Sequence, residues 1–187
     1  MTLTLGYLVG SLSRHSVNRR VARALTRLAP PEVTMNEIPI AGLPLYNQDD
    51  DAAFPEAALA LKKAVETADG VIVVSPEHNR GVPGVLKNAV DYASRPWGDN
   101  SWTGKPVALV GAALGSAGTA VAQAQLRAVL GYCGTVVLGA PETCLRWTPD
   151  LIAADGSTSP ETEEVLRAFL TATVAHVARH TPRISRR

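Results

Sequence analysis

Three short apolar runs, at 3–9, 70–75 and 106–111, each stop at Gly, Pro or Ser. Each feeds, within about ten residues, a segment whose apolar positions recur with the helix period. Continuous rather than alternating apolar runs are what strands buried on both faces look like. Two weaker runs, 32–38 and 134–138, complete the set, and the first alternates in part (Val33 and Met35 against Thr34 and Asn36), as suits a strand nearer an edge. Strict alternation of such strands with helices leaves few architectures open: a parallel sheet with helices on both faces and right-handed crossovers.

The helices read as follows. Segment 18–28 carries Val21, Ala22, Leu25 and Leu28 on one face. Segment 55–67 opens with Pro55 at a first helical position and carries Leu59, Leu61, Ala64 and Val65. Segments 83–94 and 118–130 follow the second and third strong strands. The last helix is announced by Ser159-Pro160-Glu161-Thr162-Glu163, a cap, a proline and acids in the first turn, and runs to about residue 178. Five strands joined this way favour the order 2-1-3-4-5, the flavodoxin-like three-layer α/β sandwich.

The 187 residues are expected to make one domain over 1–180, with 181–187 as a frayed tail. A net charge of +1 predicts no nucleic-acid partner and no anionic membrane surface. No apolar run approaches the ~20 residues of a bilayer span, and no secretory leader is visible at the start. Cys133 and Cys144 form no Cys-x-x-Cys, and the four His lack metal-ligand spacing near them, so no metal is expected. Two reduced thiols fit a cytoplasmic chain. The loop 41–54 with Asp49-Asp50-Asp51 reads as a solvated acidic loop.

In open α/β sheets, ligands bind at loops beyond the carboxyl ends of the strands. Three such loops carry the chemistry. After the first strand, Ser11, Ser13, Ser16 and Asn18 place hydroxyls and an amide around a turn just before a helix, and Arg14 adds a charged donor. The turn has neither the three glycines of a dinucleotide fingerprint nor the Gly-Lys-Ser/Thr of a P-loop. Ordinary capping by Ser16 or Asn18 is the competing reading. After the central strand, Pro76-Glu77-His78-Asn79 with Gly81 and Pro83-Gly84 is stiff at the prolines and permissive at the glycines, as the polar edge of a flat heterocycle requires. Glu77 and His78 make a possible acid–base pair, while Glu77 alone also suits a structural acceptor of loop N–H groups. Lys87 and Asp91, four apart, read as an ion pair on a helix face. The third loop, with Gly115 and Ser116, is small enough to let a ring lie against backbone. Together the loops predict a flavin nucleotide, phosphate on the first and ring on the second.

These residues resemble the NAD(P)H-dependent FMN reductase family, with its chromate, quinone and azo-dye reductases. The resemblance rests on Gly10-Ser11-Leu12 with Ser16 and Asn18, and on Pro76-Glu77-His78-Asn79 with Pro83-Gly84-Val85-Leu86-Lys87-Asn88-Ala89-Val90-Asp91. Ala93-Ser94-Arg95-Pro96, Gly104-Lys105-Pro106 and Gly115-Ser116-Ala117-Gly118-Thr119 extend it. The resemblance implies non-covalent FMN and NADPH or NADH as co-substrate, in a homodimer or homotetramer. Ser11, Ser16 and Asn18 would hold the phosphate, with Arg14 beside them. Pro76, Glu77, His78 and Asn79 would line the ring largely through backbone, and Gly115 and Ser116 would cover its other side. Two positions depart from the family pattern: Ser13 stands where Arg is frequent, with Arg14 next door, and His78 stands where Tyr is usual.

The expected function is therefore an oxidoreductase passing hydride from NAD(P)H through FMN to a small acceptor such as a quinone, chromate, an azo compound or free flavin. The alternatives are a reductase supplying reduced FMN to a monooxygenase, and a non-catalytic flavin carrier or sensor. A flavodoxin carrier is expected to be strongly acidic, which +1 is not. Trp97 and Trp102 are candidates for subunit contact or a pocket wall, and Arg95 for reaching a partner's site.

Overall fold

The computed structural model describes residues 2–181. The elements, in chain order, are β1 Leu3–Val9, α1 Val17–Leu28, β2 Val33–Glu37, α2 Glu56–Thr67, β3 Gly70–Val74 and α3 Gly84–Ala93. They continue with β4 Pro106–Ala113, α4 Ala120–Tyr132, β5 Val136–Val137, β6 Thr143–Arg146 and α5 Pro160–His180. All pairings in the sheet are parallel, in the order β2-β1-β3-β4-β5, with β6 also on β4.

The predicted order therefore holds, with one addition. The strand expected at 134–138 pairs over only two residues, Val136 and Val137, against Pro106 and Val107. The chain then leaves the sheet through Gly139-Ala140-Pro141, where proline cannot donate to a ladder. It returns as β6 against Val110–Ala113. One flank of β4 is thus shared by two short strands.

The period-2 geometry of the strands divides the core. Leu5, Val9, Ile72, Val74, Ala108 and Val110 pack toward α1 and α5. Leu8, Val71, Val73, Val107 and Leu109 pack toward α2, α3 and α4. Fully burying each of the Val, Leu and Ile side chains among them is worth about 1.5–3 kcal/mol. Ser159 caps α5 by accepting from the Thr162 N–H at 3.3 Å, as its sequence predicts. At the far end of α5 the Thr181 N–H donates to the Val177 carbonyl at 2.8 Å. The rest of the expected tail, 182–187, lies outside the described residues. Among the described residues no helix is long and apolar enough to cross a membrane.

Candidate active site

The three loops singled out by sequence, 10–16, 75–83 and 114–119, open at the carboxyl ends of β1, β3 and β4, which are neighbours in the sheet. The chain leaves β1 toward one side of the sheet, through α1, and β3 toward the other, through α3. That reversal makes the crevice where open sheets bind ligands.

In the first loop, serine hydroxyls shape successive turns. Ser11 Oγ accepts from the Ser13 N–H at 3.3 Å and Ser13 Oγ from the His15 N–H at 3.2 Å. Ser16 is the N-cap of α1, its Oγ accepting from the Arg19 N–H at 3.4 Å. The first-turn N–H groups of Val17 and Asn18 have no acceptor within the helix, the ordinary state of a helix start. Arg14 is exposed beside them and forms no ion pair among the described residues. The loop is thus an open helix N-terminus with hydroxyls and one exposed cation, a set that fits a phosphate.

Asn18 has a structural role that its position alone did not predict. Its side chain is buried; Nδ2 donates to the Ala112 carbonyl at 2.8 Å and Oδ1 accepts from the Ala112 N–H at 2.9 Å. The carboxamide pins α1 to the end of β4.

The second loop is a tight turn. The Gly81 N–H donates to the His78 carbonyl at 2.9 Å, and the His78 N–H donates back to Gly81 at 3.2 Å. Between them Asn79 and Arg80 have φ of 51° and 60°, the two left-handed positions of a type I′ turn. Asn accepts that region readily; Arg does so at a cost of about 1–2 kcal/mol. Pro76 is buried, while His78 and Asn79 are exposed. Among the described residues the N–H groups of Asn79 and Arg80 donate to no acceptor. Nor does any side chain cap α3 at Pro83. Donors without partners on a rigid turn beside an uncapped helix start fit the carbonyl-bearing edge of a flavin.

Glu77 is held down by another element. Its carboxylate accepts from the Val121 and Ala122 N–H groups of α4, both at 3.0 Å, and pairs with Arg80 at 3.4 Å. Gln125 of α4 clamps the same turn: Oε1 accepts from the Val82 N–H at 3.2 Å, and Nε2 donates to the Arg80 carbonyl at 3.0 Å. Sequence reasoning missed Gln123 and Gln125. Two glutamines within the first two turns of a helix whose other residues there are Ala, Val and Leu were the available signal.

The third loop closes against β6. Gly118 has φ +55°, and a Cβ there would lie 2.8 Å from the Cys144 carbonyl, so no other residue fits. Gly115 accepts from the Gly118 N–H at 3.0 Å, and Ser116 is exposed. Gln123 Nε2 donates to Thr119 Oγ1 at 2.9 Å and to the Thr143 carbonyl at 3.0 Å, which fixes the base of the loop. At Gly111 a Cβ would stand 1.9 Å from the Ser75 carbonyl, so the second and third loops leave the sheet in direct backbone contact.

Elsewhere, Lys87 and Asp91 form the expected ion pair at 2.7 Å. Trp102 is not a contact residue: it is fully buried, its indole N–H donating to the Val90 carbonyl at 3.2 Å. Trp97 is 80% exposed, with the Arg95 guanidinium over its ring at 5.6 Å. Both belong to the segment that enters the amino end of β4, away from the three loops. Burial pushes the Cys133 and Cys144 thiols up, so neither is poised as a thiolate. The residues at the crevice bind and orient; redox chemistry there belongs to a bound group.

Residues 3–147 match the family described as NADPH-dependent FMN reductase. The chain belongs to that family. It is 46% identical over 171 residues to a 2-hydroxy-1,4-benzoquinone reductase of a Burkholderia species, covering 91% of this chain and 93% of that one. It is 39% identical over 168 residues to a quinone reductase of Pseudomonas putida, covering 89% and 90%. Among solved structures it superposes with TM-score 0.91 and 40% identity on FerB, a flavoenzyme NAD(P)H:(acceptor) oxidoreductase from Paracoccus denitrificans, covering 96% and 99%. The flavodoxin-like sheet and the FMN- and NAD(P)H-dependent oxidoreductase chemistry expected from sequence both stand on these matches.

Proposed function

We propose that this FMN reductase family member holds FMN across the three loops and uses it to reduce a quinone-class acceptor with NAD(P)H. The observation that carries the reading is the set of unspent backbone donors on loops at one edge of the sheet: the first turns of α1 and α3, and the N–H groups of Asn79 and Arg80. When bound, FMN supplies a ring that takes hydride from nicotinamide and passes it to the acceptor. The protein's part is to bind and orient. The start of α1 with Ser11, Ser16 and Arg14 takes the phosphate, with Asn18 contributing its N–H. Pro76 to Asn79 take the ring edge, and Gly115 and Ser116 cover the opposite side. The name and near-complete overlap of the Burkholderia relative support a benzoquinone as acceptor.

The reading also includes a homodimer or homotetramer in the cytoplasm. Supporting it are the exposed Trp97 and Tyr132 that flank an open 620 Å³ cleft, and the two free thiols. The test is an absorbance titration with FMN, followed by anaerobic NADH or NADPH and then a benzoquinone. Flavin bands that appear, bleach with a nicotinamide and return with the quinone support it. Bands that persist with both nucleotides overturn it in favour of a carrier. Reduced FMN that leaves the protein before meeting any acceptor overturns it in favour of a flavin-supplying reductase.

A further inference from the structure

Glu77 lies in the ring loop, yet its carboxylate is turned to the fold. One oxygen accepts from two N–H groups of α4, the other faces Arg80, and the side chain is 7% exposed. The side chains of Glu77 and His78, which the sequence left open as an acid–base pair, form no hydrogen bond with each other. The position of Glu77 accomplishes something else. The turn at 78–81 holds Arg80 in left-handed backbone, and such a conformation persists only where its surroundings over-determine it. Glu77 and Gln125 supply that determination, one from each side of the turn, and both connect to α4.

The same contact has an electrostatic side. Two helices begin at this crevice. The start of α3 carries no side-chain cap, whereas the start of α4 carries the Glu77 carboxylate. A fixed negative charge offsets the positive end of α4.

We infer that Glu77 is a positioning residue. With Gln125 it fastens the ring loop and the first turn of α4 into one rigid body, and its charge lowers the reduction potential of the flavin the loop receives. The inference rests on the FMN-binding reading, and two measurements separate their failures. The first needs no flavin: amide hydrogen exchange on the unliganded protein, wild type against Glu77→Ala and Gln125→Ala. Exchange at least about tenfold faster over both 76–82 and 119–123 in Glu77→Ala, with Gln125→Ala loosening 78–82, is the expected result. Faster exchange confined to the start of α4 overturns the fastening.

The second is the midpoint potential of bound FMN in wild type and Glu77→Gln. The substitution keeps an acceptor toward α4 and removes the charge. A potential more positive than that of the wild type is expected, because a negative neighbour opposes the negatively charged reduced ring. Gln125→Ala, which keeps the charge, should weaken FMN binding severalfold with a smaller change in potential. An unchanged potential in Glu77→Gln, or equal shifts in both variants, overturns the electrostatic role while leaving FMN binding intact. Failure of the wild type to take up FMN at all overturns the binding reading and the electrostatic role with it; the exchange result then stands alone.

Discussion

The Asn18 carboxamide donates to and accepts from one backbone residue, Ala112, so Asn18→Ala strands a buried N–H and a buried C=O together. Each orphaned group costs about 1–3 kcal/mol. A loss of about 3 kcal/mol is expected in urea denaturation, read as a lower midpoint at unchanged slope. Ser11 is different: its hydroxyl touches only its own loop, at the Ser13 N–H. Ser11→Glu should keep the fold and weaken FMN at least about tenfold in a fluorescence titration, by setting charge against phosphate. Unchanged affinity would remove the phosphate from this loop. At this scale the sequence displays residue types but not their partners. Ser and Gly before a helix marked all three loops, with Pro added in the second. That Asn18 is spent on the fold depends on a residue 94 positions away, and that Glu77 is spent on α4 depends on one 44 positions away.

Elements with a strong period were legible to within one or two residues at most ends; the sheet edge was not. β6 is four residues of mixed character, Thr143-Cys144-Leu145-Arg146, with no apolar run to announce it. It exists because β4 is eight residues long and β5 occupies only two of them. That edge is held from outside by α5. His176 is buried, and its Nε2 contacts the Val136 carbonyl of β5 at 2.8 Å. Burial holds its imidazole below the ordinary 6.5; the Val136 carbonyl pulls it partly back, and His180 and Arg179 add to the depression. Below about pH 6.5 the unfolded chain therefore takes up a proton that the folded one resists. The contribution is complete above that pH and is lost as pH falls toward the folded value. Thermal melts from about pH 8 to pH 5 should show Tm declining on the acid side, and His176→Gln, which keeps an N–H donor without titrating, should flatten that decline. A slope unchanged by the substitution would assign it to other groups.

At the scale of the whole molecule, one surface is better organised than a solvent-facing surface needs to be. The segment before β4 is fastened from below: buried Lys62 Nζ donates to the Arg95 and Asp99 carbonyls at 2.7 and 2.6 Å, and Ser101 Oγ donates to Glu66 at 2.6 Å. Trp102 anchors it in the core. On this rigid support Trp97 stands out into solvent, across the cleft from Tyr132, which is 82% exposed. On the outward side of α4, Val121, Ala124, Ala128 and Tyr132 recur with the helix period, and its exposed residues, Gln125 among them, carry no charge. A helix with a largely apolar outer stripe as well as an apolar inner face is ordinarily covered, and rigid exposed aromatics are what dominate binding between proteins. A second copy of the chain, paired about a two-fold axis, would cover both at once. Sedimentation equilibrium should therefore give a multiple of the chain mass at micromolar concentration. Trp97→Ala combined with Tyr132→Glu should weaken self-association at least about 30-fold, the effect of losing about 2 kcal/mol of contact. Neither side chain supports the core, so the melting of the subunit should stay close to that of the wild type at equal degrees of dissociation. A wild type that sediments as a monomer at about 100 μM would sink the dimer, and a double variant that still pairs would move the interface elsewhere.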